Sequence, residues 1–168
     1  MKRLFVLLGL AAVPSTAFGQ TIWENVRAGM TVAQIRTAQP GAHVPRVRDT
    51  LRELGGGESA VCELRIEGTE VAGQGFDTCF FLAGGRLVQV MSTARRPSRA
   101  LVDLLAAHLR RRYGAEVEAR RDPCSTEDLV TRCELNWRLE GGVEINLTYA
   151  DVEGDGPELN LNYRPHSP

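Results

Sequence analysis

The chain has 168 residues, 43% of them hydrophobic, with 20 Lys plus Arg against 21 Asp plus Glu and a formal net charge of −1. A near-neutral balance of this kind is no nucleic-acid footprint. Every basic residue after Lys2 is Arg, a bias that reads as a GC-rich bacterial genome rather than as guanidinium chemistry.

The first nineteen residues read as a secretory leader. Lys2-Arg3 precede an apolar run from Leu4 to Val13, then Pro14 and the small residues Ser15, Ala17 and Gly19. The spacing Ala17-Phe18-Gly19 predicts cleavage before Gln20, with a cut after Ala17 as the alternative. The run is far short of the roughly 20 residues that span a bilayer, so no membrane span is expected. No Cys follows it to carry a lipid anchor. Removing Lys2 and Arg3 leaves 18 basic residues against 21 acidic ones. Residues 20–168 have the length of a single domain.

Thr21-x-x-Glu24 suggests a short helical turn carrying Ile22 and Trp23. Gly29-Met30-Thr31 is a firmer signal. Thr31 can cap a helix, Gln34 can reach back from its third position, and Met30 can pack on Ile35. The helix is expected from Val32 to about Gln39, and Pro40-Gly41 stops it. This run, with Gln34, Ile35 and Pro40, resembles the helical signature of SmpA/OmlA-type small lipoproteins of β-barrel assembly, whose fold is similar to that of the β-lactamase inhibitor protein. The resemblance spans about a dozen residues and lacks the lipid-anchored Cys. It implies helices on one face of a small antiparallel sheet and a non-catalytic binding role in the envelope.

The stretch Val44 to Leu54 fits a helix or an irregular strand equally. Gly55-Gly56-Gly57 reads as a flexible loop, since no phosphate-cradling pattern follows. Cys62, Leu64 and Ile66 alternate with charged residues as a strand. A hairpin then turns at Gly84-Gly85, with Leu82 expected opposite Leu87 and Phe81 opposite Val88. A Cys62–Cys79 bond would place both cysteines with Leu64, Ile66, Phe81, Val88 and Val90 on a core face. Phe80, Leu82, Leu87 and Met91 would then form an apolar patch on the other face, a candidate protein-binding surface. Its alternative is cover from Trp23 or from the Val44 to Leu54 stretch.

Ser98 is expected to cap a second helix with Leu101, Leu104, Leu105, Leu109 and Tyr113 on one face, ending in Arg110-Arg111-Arg112 and Gly114. The arginines suit an anionic lipid, or simply the negative end of the helix dipole on a solvated face. A strand is expected near Glu116 to Ala119. A second hairpin follows, with Leu135, Trp137 and Leu139 on one arm and Val143, Ile145, Leu147 and Tyr149 on the other. Keeping Trp137 with Ile145 requires Leu139 opposite Val143 and a three-residue loop, Glu140 to Gly142. This hairpin echoes the Gly84-Gly85 one, a hint of duplication. A last strand carries Leu159, Leu161 and Tyr163 inward.

Cysteines at 62, 79, 124 and 133 predict two disulfides; sequence alone does not separate the three pairings they allow, and Cys62–Cys79 with Cys124–Cys133 is preferred because each closes a short loop. Zinc is the rival, without C-x2-C spacing or a neighbouring His. Asp151-Val152-Glu153-Gly154-Asp155-Gly156 has the first half of a calcium loop, but Asn162 stands where the bidentate Glu belongs, and an acidic turn explains it equally. Neither metal nor cofactor is expected. His43, His108 and His166 have no sequence-near nucleophile or ligand partner, so no catalytic residue is assigned.

The expectation is therefore an α+β domain, an antiparallel sheet with helices packed on one face, in two similar helix-plus-strands halves near 21–94 and 95–165. The expected role is a non-enzymatic periplasmic or secreted binding module whose partner is another envelope or extracellular protein. A homo-oligomer is compatible with it. A secreted enzyme inhibitor and a small hydrolase assembled from distant residues are the alternatives.

Overall fold

The computed structural model describes residues 20–52, 59–117, 124–127 and 129–166. The expected leader, 1–19, the Gly55-Gly56-Gly57 loop and the end of the strand expected near Glu116 to Ala119 lie outside them. The chain is α+β but mainly β. Two helices, α1 (Val32–Ala38) and α2 (Arg99–Tyr113), accompany a small hairpin, β1 (Thr21–Trp23) with β2 (Val26–Arg27), and one eight-stranded sheet. The sheet strands are β3 (Thr50–Arg52), β4 (Ser59–Val71), β5 (Gln74–Ala83), β6 (Arg86–Ala94), β7 (Cys124–Glu127), β8 (Val130–Arg138), β9 (Val143–Val152) and β10 (Gly156–Pro165). All pairings are antiparallel, in the order β3-β4-β5-β6-β10-β9-β8-β7. Two four-stranded meanders thus join at a central β6–β10 pair, with α1 ahead of one and α2 ahead of the other.

Local chemistry accounts for the elements. Thr31 caps α1, its hydroxyl accepting from the Gln34 amide while the Gln34 side chain accepts from the Thr31 amide at 2.9 Å. Ser98 caps α2 and Gly114 ends it with φ at +85°. Leu101, Val102, Leu105, Ala106 and Leu109 are the buried face of α2; Leu104, expected there, is 44% exposed. Thr21-x-x-Glu24 opens no helical turn. Thr21–Trp23 is a strand turning back on Val26–Arg27, because Glu24 takes a left-handed conformation usually left to glycine.

The second hairpin matches its reading. Leu139 donates to the Val143 carbonyl, Trp137 pairs with Ile145, and both Gly141 and Gly142 have positive φ. Strict alternation buries Val143, Ile145, Leu147 and Tyr149 on β9 and Leu159, Leu161 and Tyr163 on β10. These join Leu135, Trp137, the α2 face, Ile35 and Trp23 in the main core.

The first hairpin inverts its reading. An extra residue on β4 between Cys62 and Leu64 turns those two side chains to opposite sides of the sheet, and a second irregularity sets Phe81 opposite Gln89 rather than Val88. Phe80, Leu82, Leu87 and Val90 therefore lie in the main core with Leu64, and the ring of Trp23 meets Phe80 edge-on with centroids 5.6 Å apart. Cys62, Cys79, Phe81 and Ala60 form a separate small cluster, against which Val88 and Met91 pack. The expected patch of Phe80, Leu82, Leu87 and Met91 is thus no surface. Its first three members are at most 4% exposed and only Met91 belongs to the other side.

The two Gly-Gly turns are not copies of one another. The order of strands pairs β5–β6 with β9–β10, so the topological counterpart of Gly84-Gly85 is the Glu153 to Asp155 turn, not Gly141-Gly142.

Candidate functional site

Two features stand out, one on each side of the sheet. On the side away from the main core, alternation places one amide on each of four adjacent strands. Asn162 pairs with Asn146 and Asn146 with Asn136 in the ladder, and Gln89 stands beside them on β6. Their side chains connect in series: Gln89 donates to Asn162 at 2.9 Å, Asn162 to Asn146 at 3.4 Å, and Asn146 to Asn136 at 2.6 Å. Glu134 closes the row, accepting from Asn146 at 3.1 Å and from Asn136 at 3.2 Å. A parallel row joins Thr93 to Asn160 at 2.7 Å and Asn160 to Glu158 at 2.9 Å. Along one margin Glu144 accepts from Arg164 at 3.0 Å, with His166 at 3.5 Å. Burial works to raise the Glu144 carboxyl, and the hydrogen bond and charge of Arg164, with the neighbouring His166, outweigh it, holding the group below its ordinary value. The three Asn amides remain half-buried while bonded, so their orientation is set before any ligand arrives.

On the core side, a cavity of about 350 Å³ opens between α2, the β1 segment and the tip of the β4–β5 hairpin. Ile22, Val71, Leu109, Leu139, Val143 and Ile145 supply apolar wall, and Trp23, Tyr113 and Tyr163 supply rings. Glu24, Glu70, His108 and Arg112 supply its titratable side chains besides the tyrosines. Tyr163 is 7% exposed, and its phenol is held above its ordinary value first by burial and then by neighbours that include Tyr113 and Glu24. Arg112 stands over the Tyr113 ring, 5.3 Å from its centroid.

The sequence-predicted residues disperse. Both disulfides form, Cys62–Cys79 across β4 and β5 and Cys124–Cys133 across β7 and β8. The one group of three potential metal-ligand side chains among the described residues is Asp49 with Cys62 and Cys79, whose sulfurs are bonded to each other. Asp151, Glu153 and Asp155 form no such group; Asp151 accepts from the Tyr149 hydroxyl at 3.2 Å at an acidic turn. His43 lies 3.9 Å from Glu67 in an exposed loop, and His108 lines the cavity. Two of the three helix-end arginines have partners within the fold: Arg110 pairs with the buried Glu116, and Arg112 with Tyr113. The Arg110 hydrogen bond outweighs burial and holds the Glu116 carboxyl below its ordinary value.

Period-2 patterning marks the amides as outward residues, but only strand order brings four of them into one row. The cavity has no local signal, because its walls come from residues 21–24, 70–72, 108–113 and 139–163. Comparison with protein-family models, curated proteins and solved structures finds no match, so the chemistry of these two features carries the functional reading.

Proposed function

We propose that this chain is a non-enzymatic binding module of the bacterial cell envelope, periplasmic or secreted, that holds a partner protein on the polar face of its sheet. The observation that carries the reading is the row of cross-bonded amides from Gln89 to Asn136. We infer that α1 and α2 share the opposite face and leave this one to a partner. Side chains already held by neighbours lose little conformational freedom on binding, which is what a recognition surface needs.

Two disulfides fit an oxidising extracytoplasmic location, and no helix among the described residues is long and apolar enough to cross a membrane. The leader-like first nineteen residues and the resemblance of Gly29 to Pro40 to small envelope lipoproteins point the same way. A hydrolase has less to draw on. The His43–Glu67 pair is longer than a hydrogen bond and exposed on both sides, and the lining around it, Val44 to Val47 with Arg65, offers no hydroxyl or thiol.

The test is Asn146→Arg in the middle of the row. Its half-buried side chain bonds Glu134, Asn136 and Asn162, so the variant should lose about 1–3 kcal/mol of unfolding free energy and remain folded, which a urea melt checks. Crosslinking in native envelopes followed by mass spectrometry should then show the parent's adduct missing from the variant. An adduct that survives the substitution would move the partner off this face.

A further inference from the structure

The cavity beneath α2 has a built asymmetry of charge. His108 and Arg112 are four residues apart on one helix and so share a face, giving the cavity a basic wall. Glu24, from the β1–β2 turn, and Glu70, near the end of β4, give it acidic lining from two other elements. Acid and base do not cancel one another: among the described residues, no ion pair joins either glutamate to His108 or Arg112. Glu24 instead accepts from Gln39 at 3.0 Å, and Arg112 rests over Tyr113.

The second observation is Tyr163. A buried tyrosine usually finds a hydrogen-bond partner for its hydroxyl. Tyr163 is 7% exposed and lines this cavity; its hydroxyl bonds to no described residue and is not one of the fully buried polar atoms left without a partner, so solvent reaches it. The charges that act on this phenol are those of Tyr113, Arg112 and Glu24, all of which line the same cavity.

From this geometry we infer that the cavity binds an apolar zwitterion, a free α-amino acid with a large apolar side chain. The ligand's carboxylate faces His108 and Arg112, its ammonium group faces Glu24 and Glu70, and its side chain lies against Val71, Leu139 and the Tyr113 ring, which are partly exposed apolar lining. Tyr163 supplies a hydrogen bond at the boundary between the two. The volume of about 350 Å³ lies at the small end of the ligand-site range, which runs from about 300 to 1,000 Å³. An anionic ligand would meet the two glutamates uncompensated, and a cationic one the arginine. This cavity lies on the core side of the sheet and the proposed partner face on the other, so each reading can fail without the other.

The test compares three ligands that share one ring: phenylalanine, 2-phenylethylamine, which lacks the carboxylate, and 3-phenylpropanoate, which lacks the ammonium. Calorimetry on the purified protein should show phenylalanine bound at least about tenfold more tightly than either analogue, a gap worth about 1.4 kcal/mol. Arg112→Gln should bring phenylalanine down to the level of the amine, and Glu70→Gln should bring it toward that of the carboxylate. Tyr163→Phe should weaken all three alike. Absence of heat with all three ligands, or an analogue that binds the parent protein as tightly as phenylalanine, would overturn the inference without recourse to any variant.

Discussion

Leu87 decides what the first hairpin is for. The residue is 1% exposed in the main core, although strand parity counted from the disulfide puts it on the outer face. Leu87→Asp is therefore expected to lower the unfolding free energy by about 4 kcal/mol or more, because a carboxylate would be left without a partner in an apolar cluster. Urea denaturation reads this directly, and a variant as stable as the parent would return the residue to the surface. Glu116 makes a second point at the same scale. Its carboxyl is held low by Arg110, so the stability it contributes is complete above the ordinary carboxylate range and is lost as the pH falls through its depressed value. Glu116→Gln should cost about 1–3 kcal/mol at neutral pH. The difference in melting temperature between parent and variant should narrow as the pH is lowered toward 3, since protonation removes the same charge from the parent.

The elements show where local chemistry suffices. The cap of α1 is written in Thr31 and Gln34, and the cap of α2 in Ser98, because each uses partners within three residues. The Glu140 to Gly142 loop is equally local, and here glycine's freedom matters. Gly142 has φ at +78°, and an added Cβ would lie 3.3 Å from the Gln20 amide nitrogen. Gly142→Ala should cost about 1–2 kcal/mol from the left-handed conformation alone. Gly41→Ala is the control, since Gly41 has no positive φ and an added Cβ there has nothing within 4 Å. Thermal melts of the two variants should differ, and equal melts would mean that the loop relaxes at no cost. Glu24 is the converse case. It occupies a left-handed turn position with no glycine to announce it, and the β1–β2 hairpin is invisible in the sequence for that reason.

Across the whole molecule, the sheet is continuous through the β6–β10 pair, and each disulfide staples the outer part of one half. Neither bond reaches the central strands, so reduction should weaken the protein without dismantling its core. Chain entropy assigns about 3 kcal/mol to the Cys62–Cys79 loop and slightly less to the shorter Cys124–Cys133 loop. Replacing each pair by alanines should reproduce that order in urea midpoints, with both variants still folded by far-ultraviolet circular dichroism. Unfolding on loss of the Cys124–Cys133 bond would show instead that the β7–β8 edge holds the second half together.

Alternation along β8, β9 and β10, the helix caps and the three-residue turn were determined by the sequence alone, because each depends on neighbours a few residues away. The face assignment of β4 to β6 was not, since bulges at Cys62/Leu64 and Phe81/Leu82 reverse parity without a Gly or Pro to mark them. The joining of two meanders at β6 and β10 was likewise decided by tertiary structure, as was the cover that Trp23 provides over Phe80. Both candidate sites belong to this second class. Gln89 meets Asn162 across 73 residues, and the cavity gathers Glu24, His108 and Tyr163 from three separate stretches. Period and spacing encode which way a side chain faces along its own element, whereas a site needs elements to be placed beside one another, and only long-range burial selects that placement.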